Sequence, residues 1–139
     1  FRGQTPAFEK LYRFYEAFAR LMAAKCRWRE NLPALRAETA EQGIALAQDC
    51  RAEIARCRLA WEALWEQVNK PFGYEIIDLR LSGLDGRYET TLRKLERLRG
   101  GDTAVLALVR EEKLRALSDE EGRFYGIGAW SDCVSACKI

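Results

Sequence analysis

Three stretches of the chain carry apolar residues at the spacing of a single helix face. The apolar positions advance in alternating steps of three and four, the pattern of helices that pack on one another. The stretches are Phe8, Leu11, Tyr15, Phe18 and Met22; Ala47, Cys50, Ile54, Cys57, Trp61, Leu64 and Val68; and Ile77, Leu81, Leu84, Tyr88, Thr91, Leu95 and Leu98. Three such faces predict an all-α fold, an antiparallel bundle of three to four long helices with an irregular or extended C-terminal tail.

Helix-breaking residues lie between these stretches. Asn31-Leu32-Pro33 is expected to interrupt the first helix, and residues 69–73 (NKPFG) are expected to end the second. The residue before a proline is disfavoured in the helical region, whereas Pro71 itself can open the third helix. Gly100-Gly101 predicts the end of the third helix, and a fourth is expected over residues 103–117, capped by Asp102.

Several local features leave more than one structure open. Residues 74–81 have the composition of a strand as well as a helix. We predict a helix, because the apolar spacing continues through Gly83 and Gly86, whose small size would let a neighbouring backbone or a ligand approach. Thr39 and Gln42 fit a capping box before the second helix. Residues 118–139 are expected to form a tail that packs on the bundle or on a missing domain.

Size and charge narrow the class of protein. The 139 residues are expected to form one helical domain over 1–139, and a chain that starts at Phe1 is expected to be part of a larger protein. The net charge is +2, and arginines alternate with glutamates. This charge pattern predicts a solvated, ion-paired surface and no nucleic-acid partner. The expected ion pairs are Glu53/Arg56, Glu89/Arg93 and Glu96/Arg99. No stretch reaches the ~18 uncharged apolar residues of a membrane span.

The residue types present offer little catalytic chemistry. The chain has no histidine, which removes the commonest general base and the commonest metal ligand. None of the five cysteines has C-x-x-C spacing, which argues against a zinc or redox site. We therefore predict no catalytic residue, no cofactor and no metal site. Free thiols favour a reducing, cytoplasmic location.

The remaining candidates have structural interpretations that we prefer. Cys50 and Cys57 are expected to be buried as small apolar side chains. Trp61 and Trp65, one helical turn apart, are expected at a helix–helix contact, with stacking on a sugar or a base as the alternative. The acidic run 119–121 follows Ser118, so we interpret it as a helix start and not as a pair of catalytic carboxylates.

One motif resembles a known enzyme family. Residues 69–84, NKPFGYEIIDLRLSGL, are similar to the pattern ENKPFGFEVIDIRLGGL of bacterial glycoside hydrolase family 20, the β-N-acetylhexosaminidases. That pattern belongs to the helical region after the catalytic barrel. Residues 87–98 (RYETTLRKLERL) resemble the helix that follows, and residues 130–139 (WSDCVSACKI) resemble the family's C-terminal ending.

The resemblance implies a non-catalytic, C-terminal helical accessory domain of a hexosaminidase-like enzyme. Its partner would be the catalytic barrel, which carries the Asp-Glu pair. The domain would stabilise that barrel, form a homodimer, or contribute to the wall of the sugar pocket. A helix–helix corner concentrates exposed backbone groups and rigid aromatic rings. The expected contact residues are Asn69, Lys70, Pro71, Phe72, Tyr74 and Arg80. For this corner, the alternative is that these residues only end one helix and begin the next. For the whole chain, the alternative is a stand-alone interaction or dimerisation module.

Overall fold

The computed structural model describes residues 6–69 and 72–110. Three long helices are present: α1 (Pro6–Asn31), α2 (Ala40–Val68) and α3 (Glu75–Arg99). A shorter helix, α4 (Leu106–Arg110), follows α3. These residues include no strand, so the all-α prediction is confirmed for them. The fourth helix is described for five residues only, and the expected tail at 118–139 lies outside the described ranges.

The helices run antiparallel, and α2 packs against both α1 and α3. Three ion pairs show the alignment: Arg27–Asp49 joins α1 to α2, while Arg51–Asp85 and Arg58–Asp78 join α2 to α3. The start of α1, the end of α2 and the start of α3 therefore lie at one end of the bundle. We call this the corner end, because it contains the connection between α2 and α3.

The predicted core faces of α2 and α3 are confirmed, with Trp61 and Ile77 half-buried, while the side chain of Val68 lies outside the described residues. On α2 the buried apolar side chains include Ala47, Cys50, Ile54, Cys57 and Leu64. On α3 they are Leu81, Leu84, Tyr88, Leu95 and Leu98, and Thr91 is buried in the same row. The ring of Trp28 on α1 meets the ring of Tyr88 on α3 edge-on, with centroids 5.9 Å apart. All three long helices therefore share one core.

The predicted core face of α1 is wrong for Phe8, Tyr15 and Phe18, although Met22 packs partly against the core. Its buried residues are Ala17, Leu21, Ala24 and Trp28. By contrast, the predicted Phe8, Tyr15 and Phe18 are 51%, 58% and 38% exposed. The helix carries two apolar rows offset by one residue, or about 100° around its axis. The row with two alanines faces the core, since small side chains let two helix axes approach closely.

The connection from α1 to α2 differs from the expected capping box. It contains two 3-10 turns, Leu32–Ala34 and Ala37–Thr39. The Thr39 hydroxyl accepts the backbone N–H of Arg36 at 2.8 Å, and the Gln42 side chain donates to Asn31 at 3.2 Å. Thr39 therefore stabilises the turn before α2, and Gln42 ties α2 back to the end of α1.

The ends of α3 are predicted with mixed success. The helix begins at Glu75 and not at Pro71, because the chain makes a turn through Gly73 first. The helix ends where predicted, and Gly101 adopts the left-handed conformation with φ of 94°. The Asp102 side chain accepts the backbone N–H of Ala104 at 3.2 Å, which confirms its capping role.

The close approach expected at Gly86 is wrong, since a Cβ atom there would meet nothing within 4 Å. Gly43 on α2 is the tight position. A Cβ atom at Gly43 would lie 2.9 Å from Leu35 Cδ1 and 3.2 Å from Leu95 Cδ2. Both leucines are buried, so glycine allows the α1–α2 connection and α3 to close on α2.

The surface charges pair as expected. Salt bridges form within all three predicted pairs, Glu53/Arg56, Glu89/Arg93 and Glu96/Arg99. Between α2 and α3 the pairs are bidentate. Arg51 donates to the two Asp85 oxygens at 2.7 and 2.9 Å, and Arg58 to those of Asp78 at 2.7 and 3.0 Å. The planar guanidinium group fixes the register of the two helices.

Candidate functional site

Hydrogen bonds hold both described sides of the corner between α2 and α3, at Asn69 and at Gly73. The Asn69 N–H donates to the Trp65 carbonyl at 2.9 Å, which closes the last turn of α2. Gly73 then adopts a φ of 101°, a conformation that favours glycine. Its N–H donates to the carboxylate of Glu75 at 2.7 Å, at the first residue of α3. Local hydrogen bonds therefore fix where α2 ends and how the chain enters α3.

Aromatic rings form the base of this corner. The Trp61 ring lies 5.2 Å from that of Phe14 on α1 and 5.3 Å from that of Trp65, measured between centroids. Its indole N–H donates to the Tyr74 carbonyl at 3.3 Å. A Cβ atom at Gly73 would lie only 3.2 Å from Trp65 Cζ2. The prediction that Trp61 serves a helix–helix contact is confirmed, and the turn rests directly on the Trp65 ring.

The structure brings some of the predicted contact residues together. Asn69 and Tyr74 line a pocket of about 210 Å³, which Glu62, Trp65 and Glu66 complete. Phe72 does not line this pocket and is 79% exposed. Arg80 is exposed on the second turn of α3, also outside it. Lys70 and Pro71 lie outside the described residues.

Exposed apolar side chains cluster in the half of the bundle that contains the corner. Of the nine large ones among the described residues, Leu108 alone lies in the other half. The remainder are Phe8, Tyr12, Tyr15, Phe18, Leu59, Phe72, Ile76 and Leu79. A contiguous exposed apolar patch marks an interaction site, and Phe8, Tyr12 and Tyr15 are neighbours along α1. The sequence analysis placed the α1 rings in the core and therefore missed their exposure. The available signal was the other apolar row of α1, which includes Ala17 and Leu21.

A groove between α1 and α2 is lined by four basic residues, Lys10, Arg13, Arg20 and Arg56. Each of the three arginines pairs with a glutamate on its own helix, as the alternating charges predict. Such exposed pairs contribute little to stability and partly neutralise the groove. The groove therefore matches the solvated surface expected from the sequence.

The buried thiols and the Tyr88 hydroxyl are held neutral in the core. Cys50 and Tyr88 are buried and hydrogen-bonded to each other, and burial raises the pKa of both side chains. Burial also raises the pKa of the Cys57 thiol. A thiol with a raised pKa is a poor nucleophile at neutral pH. The buried positions of Cys50 and Cys57 confirm that they serve as core side chains.

Two further properties of the described part of the chain bear on function. Within residues 6–69 and 72–110, no three cysteine or carboxylate side chains come together as a metal ion would require. In the same ranges, no helix combines the length and apolar character needed to span a bilayer.

The comparisons with known proteins give one match. The family model described as Glycoside Hydrolase 20C C-terminal domain matches residues 1–125. Neither the curated proteins nor the solved structures contain a match to this chain.

Proposed function

This chain belongs to the family of glycoside hydrolase 20C C-terminal domains, and on that premise we propose that its parent enzyme removes terminal N-acetylhexosamine residues from glycans. As a member of this family the chain is a helical accessory domain of a glycoside hydrolase, and the catalytic domain is its partner. The substrate and the contact surface are the parts we propose. The resemblance of residues 69–84 to the hexosaminidase pattern supports the substrate.

We further propose that the corner holds the accessory domain against the catalytic domain and borders its substrate pocket. The observation that supports this is Phe72, a large apolar side chain that is 79% exposed beside a hydrogen-bonded turn. Because the hydrogen bond from Gly73 to Glu75 holds the backbone next to Phe72, this side chain can dock with little loss of backbone entropy. Asn69, Tyr74 and Arg80 add hydrogen-bonding groups around it, and Lys70 and Pro71 belong to the same proposal.

The test uses the complete parent enzyme and the substrate p-nitrophenyl N-acetyl-β-glucosaminide. The wild-type enzyme is expected to hydrolyse it, and Phe72→Ala is expected to lower the melting temperature or kcat/KM. Leu108→Ala is the matched control, since Leu108 is 60% exposed at the other end of the bundle. Absence of turnover would contradict the substrate proposal. A Phe72→Ala enzyme indistinguishable from Leu108→Ala would contradict the contact proposal.

The exposed apolar surface at the corner end also supports a homodimer as the second candidate role. Sedimentation velocity over a range of enzyme concentrations tests it, and a monomer throughout would contradict it. The cytoplasmic location stays part of the proposal, and the free thiols of Cys26, Cys50 and Cys57 support it.

A further inference from the structure

One side of α1, away from the row that enters the core, carries no charge over five turns. Between residues 8 and 26, every charged side chain lies on the remaining part of the helix circumference. At 100° per residue, the uncharged positions occupy an arc of about 140° and a length of about 27 Å. We call this the aromatic face of α1. It consists of Phe8, Leu11, Tyr12, Tyr15, Phe18, Ala19, Met22, Ala23 and Cys26.

The large rings of this face are open to solvent in the described structure. Phe8 and Tyr12 are each 51% exposed, and Tyr15 is 58% exposed. The other apolar row of α1, from Ala17 to Trp28, is packed into the core, and Met22 at the edge of the aromatic face packs partly against it. The apolar stripe of a surface helix normally faces a packing partner, and within the described residues α2 and α3 cover the core row of α1 but leave these rings exposed. The tyrosine hydroxyls can stay hydrated while the rings are buried, as is common in protein interfaces.

We propose that the aromatic face of α1 is the docking surface for the catalytic domain of the same polypeptide. The inference rests on the proposed accessory role. In a C-terminal domain the catalytic domain precedes α1 in the chain. The exposed rings occupy the first half of α1, the first helix of the described residues. A covalently linked partner has a high effective concentration, so it reaches this face ahead of a second molecule.

The surface matches such a partner in its chemistry. A face without charge offers no ion pairs, so the complementary surface must itself be apolar and well packed. Positions 8, 11, 15, 18 and 22 of this face have the three-and-four spacing of residues that pack against the side chains of another helix. We therefore expect an uncharged helical surface of the catalytic domain to lie along α1.

The experiment is photo-crosslinking in the complete parent enzyme with Tyr15→p-benzoylphenylalanine. An equal mixture of ¹⁴N- and ¹⁵N-labelled enzyme is irradiated, and the crosslinked peptides are identified by mass spectrometry. The expected product joins α1 to a catalytic-domain peptide carrying the same isotope. Ala45→p-benzoylphenylalanine, at an exposed position of α2 away from the corner end, is the control and is expected to capture no catalytic-domain peptide.

Three results would overturn the proposal: mixed-isotope products, which identify a second copy; capture of a peptide from residues 111–139; and no captured peptide. Hydroxyl-radical footprinting of the unmodified enzyme gives an independent measurement. Tyr12 and Tyr15 are expected to react as slowly as Tyr88, which is buried at 6% exposure. Fast reaction of both would contradict docking. Neither measurement depends on the sugar cleaved, so a failed hexosaminidase assay and a failed docking test remain distinguishable.

Discussion

Substitution of Gly73 by alanine tests whether the shape of the corner matters for the parent enzyme. Gly73 has a φ of 101°, and Gly101 has a φ of 94° at the opposite end of the bundle. An L-residue in a left-handed conformation costs about 1–2 kcal/mol. The reduced freedom of alanine in the unfolded chain offsets about 0.4–1 kcal/mol of that cost. Both substitutions should therefore lower the free energy of unfolding by about 0.5–1 kcal/mol from backbone strain.

The surroundings of the two glycines separate their effects. The new Cβ at Gly73 would lie 3.2 Å from Trp65 Cζ2, whereas at Gly101 it would meet nothing within 4 Å. The optimal carbon–carbon separation is about 3.5–4.0 Å, and the Trp65 ring is packed against Trp61. We expect this contact to add about 1 kcal/mol at Gly73. At roughly 3 °C per kcal/mol, Gly73→Ala should lower the melting temperature about 3 °C more than Gly101→Ala.

The assay combines thermal unfolding and steady-state kinetics of the complete enzyme. Gly73→Ala is expected to reduce both the melting temperature and kcat/KM, because it displaces the turn that carries Phe72. Gly101→Ala is expected to reduce the melting temperature alone. Equal kinetic effects of the two variants would refute the reasoning. Unchanged kinetics with Gly73→Ala, at a temperature where the enzyme is fully folded, would refute it as well.

Three further predictions concern the bundle itself. Gly86→Ala should raise the free energy of unfolding by about 0.5–1 kcal/mol through helix propensity, whereas Gly43→Ala should be neutral or destabilising by up to about 2 kcal/mol through overpacking. Urea denaturation of both variants tests this, and equal stabilisation would contradict the close packing at Gly43. The hydrogen-bonded guanidinium of Arg51 lowers the pKa of Asp85. The ion pair therefore stabilises the fold fully above the pKa that Asp85 has in the unfolded chain, and this stabilisation is lost as pH falls through its pKa in the folded protein. Asp85→Asn should therefore be less stable than wild type at pH 7, and this difference should disappear in acid; a difference independent of pH would contradict the ion pair. Among the cysteines described, Cys26 is exposed and should react with a maleimide in the native protein while the buried ones react only after unfolding, which mass spectrometry of labelled peptides distinguishes.

Much of the fold is predictable from helix periodicity. The apolar rows of α2 and α3 are one-sided, so spacing alone identifies their buried faces. The ion pairs within single helices are predictable for the same reason, because positions three or four apart are neighbours on any helix. The breaks at Pro33 and at Gly100-Gly101 follow from backbone chemistry that acts within a few residues.

The candidate site is less predictable than the fold. The motif directs attention to the corner, but the pocket beside Tyr74 depends on Glu62 and Trp65 from the last turns of α2. The role of Gly73 likewise depends on the Trp65 ring, which a Cβ atom at position 73 would contact. Contacts between separate elements cannot be derived from spacing along one of them.

The sequence by itself determined the helical class, a bundle of three to four long helices, and the buried faces of α2 and α3. Each of these follows from local periodicity and from residues that cap or break helices. The tertiary structure decided which of the two apolar rows on α1 enters the core, because that choice depends on how closely the Ala17 and Ala24 row approaches α2. It also decided that Gly43, and not Gly86, is the tight position. Both outcomes depend on side chains distant in sequence, whose packing only the assembled bundle defines.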